Sequence, residues 1–155
     1  MSSIIAYTDG ASTGNPGPGG YGVVLISPAH NNHRLELSDG FRRTTNNRME
    51  LLAAIMALEV LKFPGQHITI HSDSAYVVNA VEKKWVWNWR KKGYDGKKNA
   101  DLWERFIKAY QKHHVKMVWV KGHAGIPENE RCDELATTAA KQADLKIDHG
   151  YEKGN

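Results

Sequence analysis

At 155 residues the chain has the length of one domain, enough for a single packed core and short for two. Hydrophobic residues at 41% against 25% charged permit a real core and exclude a disordered, collagen-like or low-complexity chain. The longest apolar run, Leu51 to Leu58, is eight residues, far short of the roughly 20 a membrane-spanning helix requires, and the polar opening Met1-Ser2-Ser3 has no signal-peptide core behind it. A single cysteine, Cys132, cannot form an internal disulfide, which fits a reducing compartment. The expectation is a cytoplasmic, monomeric protein with no membrane association and no obligate protein partner.

In chain order, Ile4 to Thr8 reads as a buried strand that stops at an Asp9-Gly10 turn. The Gly- and Pro-rich stretch Gly14 to Gly20 is expected to be irregular. Tyr21 to Ile26 resumes an apolar strand, and Arg34 to Ser38 alternates with period two. Met49 to Leu61 has a helical pattern, with Thr45, Asn46 or Asn47 available as N-cap and Pro64-Gly65 as the stop. Ile68 to Ser72 is a strand, and Ser74 to about Lys83 a helix. A basic segment rich in tryptophan follows, then a helix around Ala100 to Lys112, a strand from Val115 to Val120, a loop from Lys121 to Glu128 and a helix from about Asn129 to Ala143. This order defines a mixed α/β layered domain over residues 1–143, antiparallel hairpins first and parallel crossovers after. The polar tail, 144–155, is expected to fray.

The net charge of +4 says little, but its distribution is uneven: between Glu82 and Lys98 seven basic residues face two acidic ones, and three of the five tryptophans, Trp85, Trp87 and Trp89, lie in the same stretch. The excess positive charge is concentrated in that one place.

Carboxylates occupy positions that a core would fill with apolar groups. Glu50 shares a helical face with Ala53, Ala54, Ala57 and Leu61; an isolated buried carboxylate is expensive, and the competing explanation is a capping box with Asn47. Asp9 and Asp73 each follow a β-prone run, which places both at strand C-termini, where α/β sheets bind ligands, although an ordinary turn and an ordinary N-cap also account for them. Asp133 repeats the Glu50 pattern, with Ala136, Thr137 and Ala140 on its face. Clustered acids need protonation or a counter-charge, and oxygen ligands alone suit Mg²⁺ or Mn²⁺. Two-metal phosphodiester hydrolysis uses such a cluster. His123, between glycines in Lys121-Gly122-His123-Ala124-Gly125, is placed to shuttle protons or is a solvated loop residue.

Five motifs together carry a family resemblance: Thr8-Asp9-Gly10, Gly14 to Gly22, Thr44 to Leu51, Ser72-Asp73-Ser74, and Val120 to Gly125 continuing through Glu128 to Ala136. In order and spacing they resemble bacterial type 1 ribonuclease H over essentially the whole chain. The resemblance implies the ribonuclease H-like fold, a mixed five-stranded sheet with helices on both faces. It implies an endonuclease that cuts the RNA strand of RNA/DNA hybrids with one or two Mg²⁺ ions (or Mn²⁺), leaving 5′-phosphate and 3′-hydroxyl ends. Asp9, Glu50, Asp73 and Asp133 would hold the metal, and His123 would assist proton transfer or product departure. Asn15, Asn46 and the backbone at Gly10 would touch the RNA strand and its 2′-hydroxyls, and Thr45 a DNA phosphate. The basic segment resembles the family's DNA-gripping protrusion, with Lys84, Trp85, Trp89 and Lys91 as contacts. The chain departs from the family pattern at Ala75, where relatives often carry Gln, and in the short loop 95–99. The competing functions are a catalytically silent hybrid-binding module and a DNA-cutting nuclease on the same scaffold.

Overall fold

The computed structural model describes Ser3 to Lys153; Met1 and Ser2 of the polar opening and Gly154 and Asn155 of the tail lie outside the described residues. Five strands form one sheet: β1 (Ser3–Ser12), β2 (Gly17–Ser27), β3 (His33–Thr44), β4 (His67–Ser72) and β5 (His114–Trp119). Their order is β3-β2-β1-β4-β5, with β1–β2 and β2–β3 antiparallel and β1–β4 and β4–β5 parallel. Between and after the strands come α1 (Asn46–Glu59), α2 (Ala75–Glu82), α3 (Trp85–Lys91), α4 (Ala100–Tyr110), α5 (Pro127–Ala140) and a short α6 (His149–Glu152).

Both faces of the sheet are covered, as expected. A Cβ built on Gly10 would lie 2.2 Å from the Glu50 backbone nitrogen of α1, whereas Cβ atoms on Gly20 and Gly22 would collide with Ala136 and Cys132 of α5. Gly20 and Gly22 pair with Ala11 and Asp9, the neighbours of Gly10 on β1. Alternation along a strand then puts α1 and α5 on opposite faces. The α1 stripe of Ala53, Ala54 and Ala57 is fully buried, small side chains letting the helix approach closely, and Trp103 and Phe106 of α4 close the core behind it.

Three expectations are corrected. β1 does not end in a turn at Asp9-Gly10 but runs to Ser12, because the glycine serves a close helix–strand approach rather than a bend. Gly17 to Gly20 belong to β2 instead of an irregular stretch: Gly17 pairs with Thr44 of β3, the ladder to β1 holds Gly19 and Gly20 extended, and the missing side chain of Gly20 admits α5. The tail does not fray over its described part. Lys146 bridges to Phe41, and buried Asp148 caps α6 while accepting hydrogen bonds from Thr44 Oγ1 at 2.7 Å and Arg48 Nε at 2.8 Å. Arg48 also pairs with Asp101 at 2.7 Å, so a wholly buried guanidinium holds together α1, α4 and the tail.

Candidate metal centre and nucleic-acid interface

The parallel ladder of β1 with β4 ends at the pair Thr8–Ser72, yet β1 continues along β2 to Ser12. Asp9 and Asp73 are the residues directly after that last pair, so both carboxylates emerge where the sheet splits. Ser74, not Asp73, caps α2 by accepting a hydrogen bond from the Val77 N–H, which leaves the Asp73 carboxylate free of capping duty. Likewise Thr45, not Asn47, caps α1 through the Arg48 N–H, and Glu50 lies beyond the reach of a capping box.

Asp9, Glu50 and Asp73 each bring one oxygen to within 4.8 Å of the others. Asp9 and Glu50 are each 5% exposed, and Asp73 is half-buried. Burial, and then the negative charges of Asp73 and Asp133, push the Asp9 carboxyl up to about 8; the Gly10 N–H at 2.9 Å only partly offsets this. Burial followed by the charges of Asp9 and Asp73 raises Glu50 well above the ordinary carboxylate range. Glu50 Oε1 is a buried acceptor with no hydrogen-bond partner among the described residues. Such an orphan costs free energy unless a cation or proton reaches it, and an all-oxygen donor set fits a hard divalent ion.

Asp133, half-buried on α5, lies outside that trio but acts on Asp9 through its charge. It shares with exposed His123 a groove of about 530 Å³. His123 adopts φ +54° in a loop whose Gly122 approaches Asp73 so closely that a Cβ would sit 2.8 Å from its carboxylate. Two residues that sequence reasoning passed over therefore bear on Asp73: Gly122, and Trp119, whose indole N–H donates to the Asp73 carbonyl at 3.3 Å. Their only sequence signal is position at the end of β5, for Trp119, or just beyond it, for Gly122.

The remaining candidates form two groups. Beside Thr45, the exposed Asn15 accepts a hydrogen bond from the Asn46 N–H at 3.0 Å through Oδ1, tying the β1–β2 loop to the start of α1, while Gly10 abuts Glu50. The second group surrounds α3. Trp85 is 42% exposed with the Lys83 ammonium over its ring; Trp89 is half-buried, edge-on to Trp103 at 6.0 Å. Lys84 stacks over Trp87 and Lys91 is exposed.

A buried all-oxygen centre at the split of a mixed sheet, in a chain that also carries a basic aromatic helix, fits a metal-dependent enzyme acting on nucleic acid. The sequence matches the RNase H family model over residues 1–141. It is 56% identical over 153 residues to a ribonuclease H of Desulforamulus reducens, covering 96% of this chain and 94% of that one. To a ribonuclease H of Syntrophus aciditrophicus it is 54% identical over 155 residues, with 96% and 86% covered. Among solved structures it is similar to LC9-RNase H1, a type 1 RNase H with the type 2 active-site motif (TM-score 0.79, 32% identity, 99% and 80% covered). It is also similar to LC11-RNase H1 in complex with an RNA/DNA hybrid (TM-score 0.67, 30% identity, 88% and 96% covered). The chain belongs to the ribonuclease H family and is a nuclease.

Proposed function

We propose that this nuclease cuts the RNA strand of RNA/DNA hybrids endonucleolytically and without sequence preference, leaving 5′-phosphate and 3′-hydroxyl ends. The observation that carries this is the trio Asp9, Glu50 and Asp73 with its unpartnered buried oxygen. Asp9, Glu50 and Asp73 hold Mg²⁺, with Mn²⁺ as a substitute, and Asp133 completes the set. When bound, the ions supply an activated water and charge stabilisation at the leaving oxygen. Asp9 would hold the metal as a carboxylate, having given up its proton once the site is loaded. His123, exposed on a loop beside Asp133, carries a proton or assists product departure.

Substrate choice falls to the chain's other groups. Asn15, Asn46 and the Gly10 backbone contact the RNA strand, whose 2′-hydroxyls separate it from DNA. Thr45 holds a phosphate of the DNA strand, and Lys84 and Lys91 neutralise further phosphates without reading sequence. Trp85, exposed where Trp89 is packed, lies against deoxyribose. The complex of the similar LC11-RNase H1 with a hybrid supports this substrate class.

The decisive experiment offers labelled RNA/DNA hybrid, RNA duplex and DNA duplex to the purified protein with Mg²⁺ and with chelator. Cleavage of hybrid RNA alone, abolished by chelator, is the expected result. Cleavage of the DNA duplex instead would establish a DNA nuclease on this scaffold, and binding without cleavage a silent module.

A further inference from the structure

Of the eight histidines in the chain, the proposed chemistry uses one, His123. Two others meet at the far end of the sheet. The ladder between β4 and β5 opens on the pair His67–His114, so both side chains leave the same face of neighbouring parallel strands. Their rings stack, with centroids 4.4 Å apart and planes 15° from parallel. Ile68, Ile70 and Met117 turn the other way, into the core. On the histidine side α5 packs mainly against β1, β2 and β3, which leaves His67 half-buried and His114 exposed.

The backbone beneath the pair is fixed. The His114 N–H donates to the Gln66 carbonyl at 2.9 Å, and the Gln66 N–H donates to His113 Nδ1 at 3.2 Å. That second bond puts the proton of the neutral His113 ring on Nε2 and removes this ring as a ligand. The ring nitrogens of His67 and His114, by contrast, have no hydrogen-bond partner among the described residues. Ser3, Thr69, Tyr110, His113 and Lys116 wall a groove of about 430 Å³ around the pair, and among the described residues no carboxylate lines it. Paired imidazoles without carboxylates suit a borderline transition-metal ion and offer little to a hard one. Zinc–nitrogen bonds of about 2.0–2.1 Å at a tetrahedral angle separate two donor nitrogens by about 3.4 Å. A modest tilt of the stacked rings about χ2, a soft torsion in histidine, closes to that spacing.

We propose that His67 and His114 form a two-histidine site for a divalent transition-metal ion such as Zn²⁺, separate from the all-oxygen trio. Water fills the remaining coordination positions. His67 stands six residues before Asp73, which at about 3.3 Å per residue sets the two sites about 20 Å apart. A bound ion clips the edge strand β5 to β4 at the end remote from the trio. The two centres thereby sort ions by ligand chemistry, carboxylates taking Mg²⁺ and imidazoles Zn²⁺. The site stands whichever strand the nuclease cuts.

The test is isothermal titration calorimetry with Zn²⁺ as titrant, in excess Mg²⁺ and in an Asp9→Asn parent so that the trio does not compete. The parent is expected to bind one Zn²⁺ ion. His67→Gln and His114→Gln are each expected to weaken that binding about 10²-fold, as for loss of one arm of a chelate, while His113→Gln binds as the parent does. Zn²⁺ is also expected to raise the melting temperature of the parent and not that of His67→Gln. Both ligand variants change solvent-facing side chains, a metal-free melting temperature matching the parent's shows that each is folded, and either one alone decides. Absence of Zn²⁺ binding by the parent overturns the proposal. So does a dissociation constant for His67→Gln or His114→Gln within about twofold of the parent, or an equal loss in His113→Gln.

Discussion

Arg48 and Glu50 stand two residues apart on α1, both buried, and they meet opposite fates. Arg48 is paired with two carboxylates, Asp101 at 2.7 Å and Asp148 at 2.8 Å. Its burial alone would lower its pKa, but the hydrogen bonds it donates to those carboxylates, with their charges, outweigh burial and raise it. Glu50 has two groups of its own sign, Asp9 and Asp73, and an oxygen with no partner. One buried charge is satisfied within the fold; the other is satisfied only by something that arrives. That contrast separates a structural charge from a functional one more sharply than burial does.

The largest expected effect sharpens the contrast from the Glu50 side. Asp9→Asn should reduce hybrid cleavage by about 10³-fold or more, the several kcal/mol that metal-centred charge stabilisation supplies. The same change should leave the metal-free protein as stable or more so, by about 1 kcal/mol, because it relieves repulsion. Activity and a melting curve in chelator check both halves, and a large drop in melting temperature would make Asp9 a structural residue.

Arg48→Met tests the other side. Removing one member of a buried ion network strands its partners, at a cost of about 3–5 kcal/mol, which for a domain of this length is roughly 10 °C in melting temperature. Differential scanning calorimetry measures it. An unchanged melting point would break the contrast, since Arg48 would then be no better satisfied by the fold than Glu50.

The two regions also respond to pH in separate windows. The Asp9 carboxyl is raised to about 8 from an ordinary 3.8, so between those values the folded metal-free protein holds a proton that the unfolded chain has lost. Its contribution to stability therefore falls as pH rises from about 4 to about 8. Asp101 and Asp148 behave oppositely. Burial pushes each up, but hydrogen bonds from Arg48, joined at Asp148 by Thr44, outweigh it and hold both below the ordinary value. Their stabilisation is complete above the unfolded pKa and is lost only as pH falls below about 4. Melting temperature in chelator should thus decline between pH 5.5 and 8.5, and Asp9→Asn should flatten that decline while leaving the acid limb intact. A decline of the same slope in Asp9→Asn would detach it from Asp9.

Much of this was legible in the sequence, unevenly. Glu50 on an alanine face is visible as an acid where packing demands small apolar groups, and Asp9 and Asp73 as acids ending β-prone runs. Asp9-Gly10 reads as a turn because sequence shows that glycine lacks a side chain without showing that a helix backbone lies 2.2 Å from where one would start. The tail reads as loose because its polar residues find partners about a hundred positions away: Asp148 meets Arg48 across 100 residues and Thr44 across 104. Local composition carries no trace of a pairing at that separation. The tryptophans share one composition signal, and only packing distinguishes exposed Trp85 from Trp89 lodged against Trp103.

The smallest expected effect comes from a third charged group, and it asks whether good geometry or burial makes Arg48 matter. Arg42 and Glu152 form a two-bond pair as well aligned as that of Arg48 with Asp148, with distances of 2.9 and 2.8 Å. The Arg42 side chain, however, is 56% exposed where that of Arg48 is 1% exposed. Water solvates the Arg42 guanidinium whether or not its partner is present, so losing Glu152 leaves no stranded charge. Glu152→Gln should accordingly shift the melting temperature by no more than about 2 °C, with the difference vanishing in high salt. A shift approaching that of Arg48→Met would mean that bidentate geometry, and not the exclusion of water, is what ties the C-terminal segment to the helix carrying Glu50.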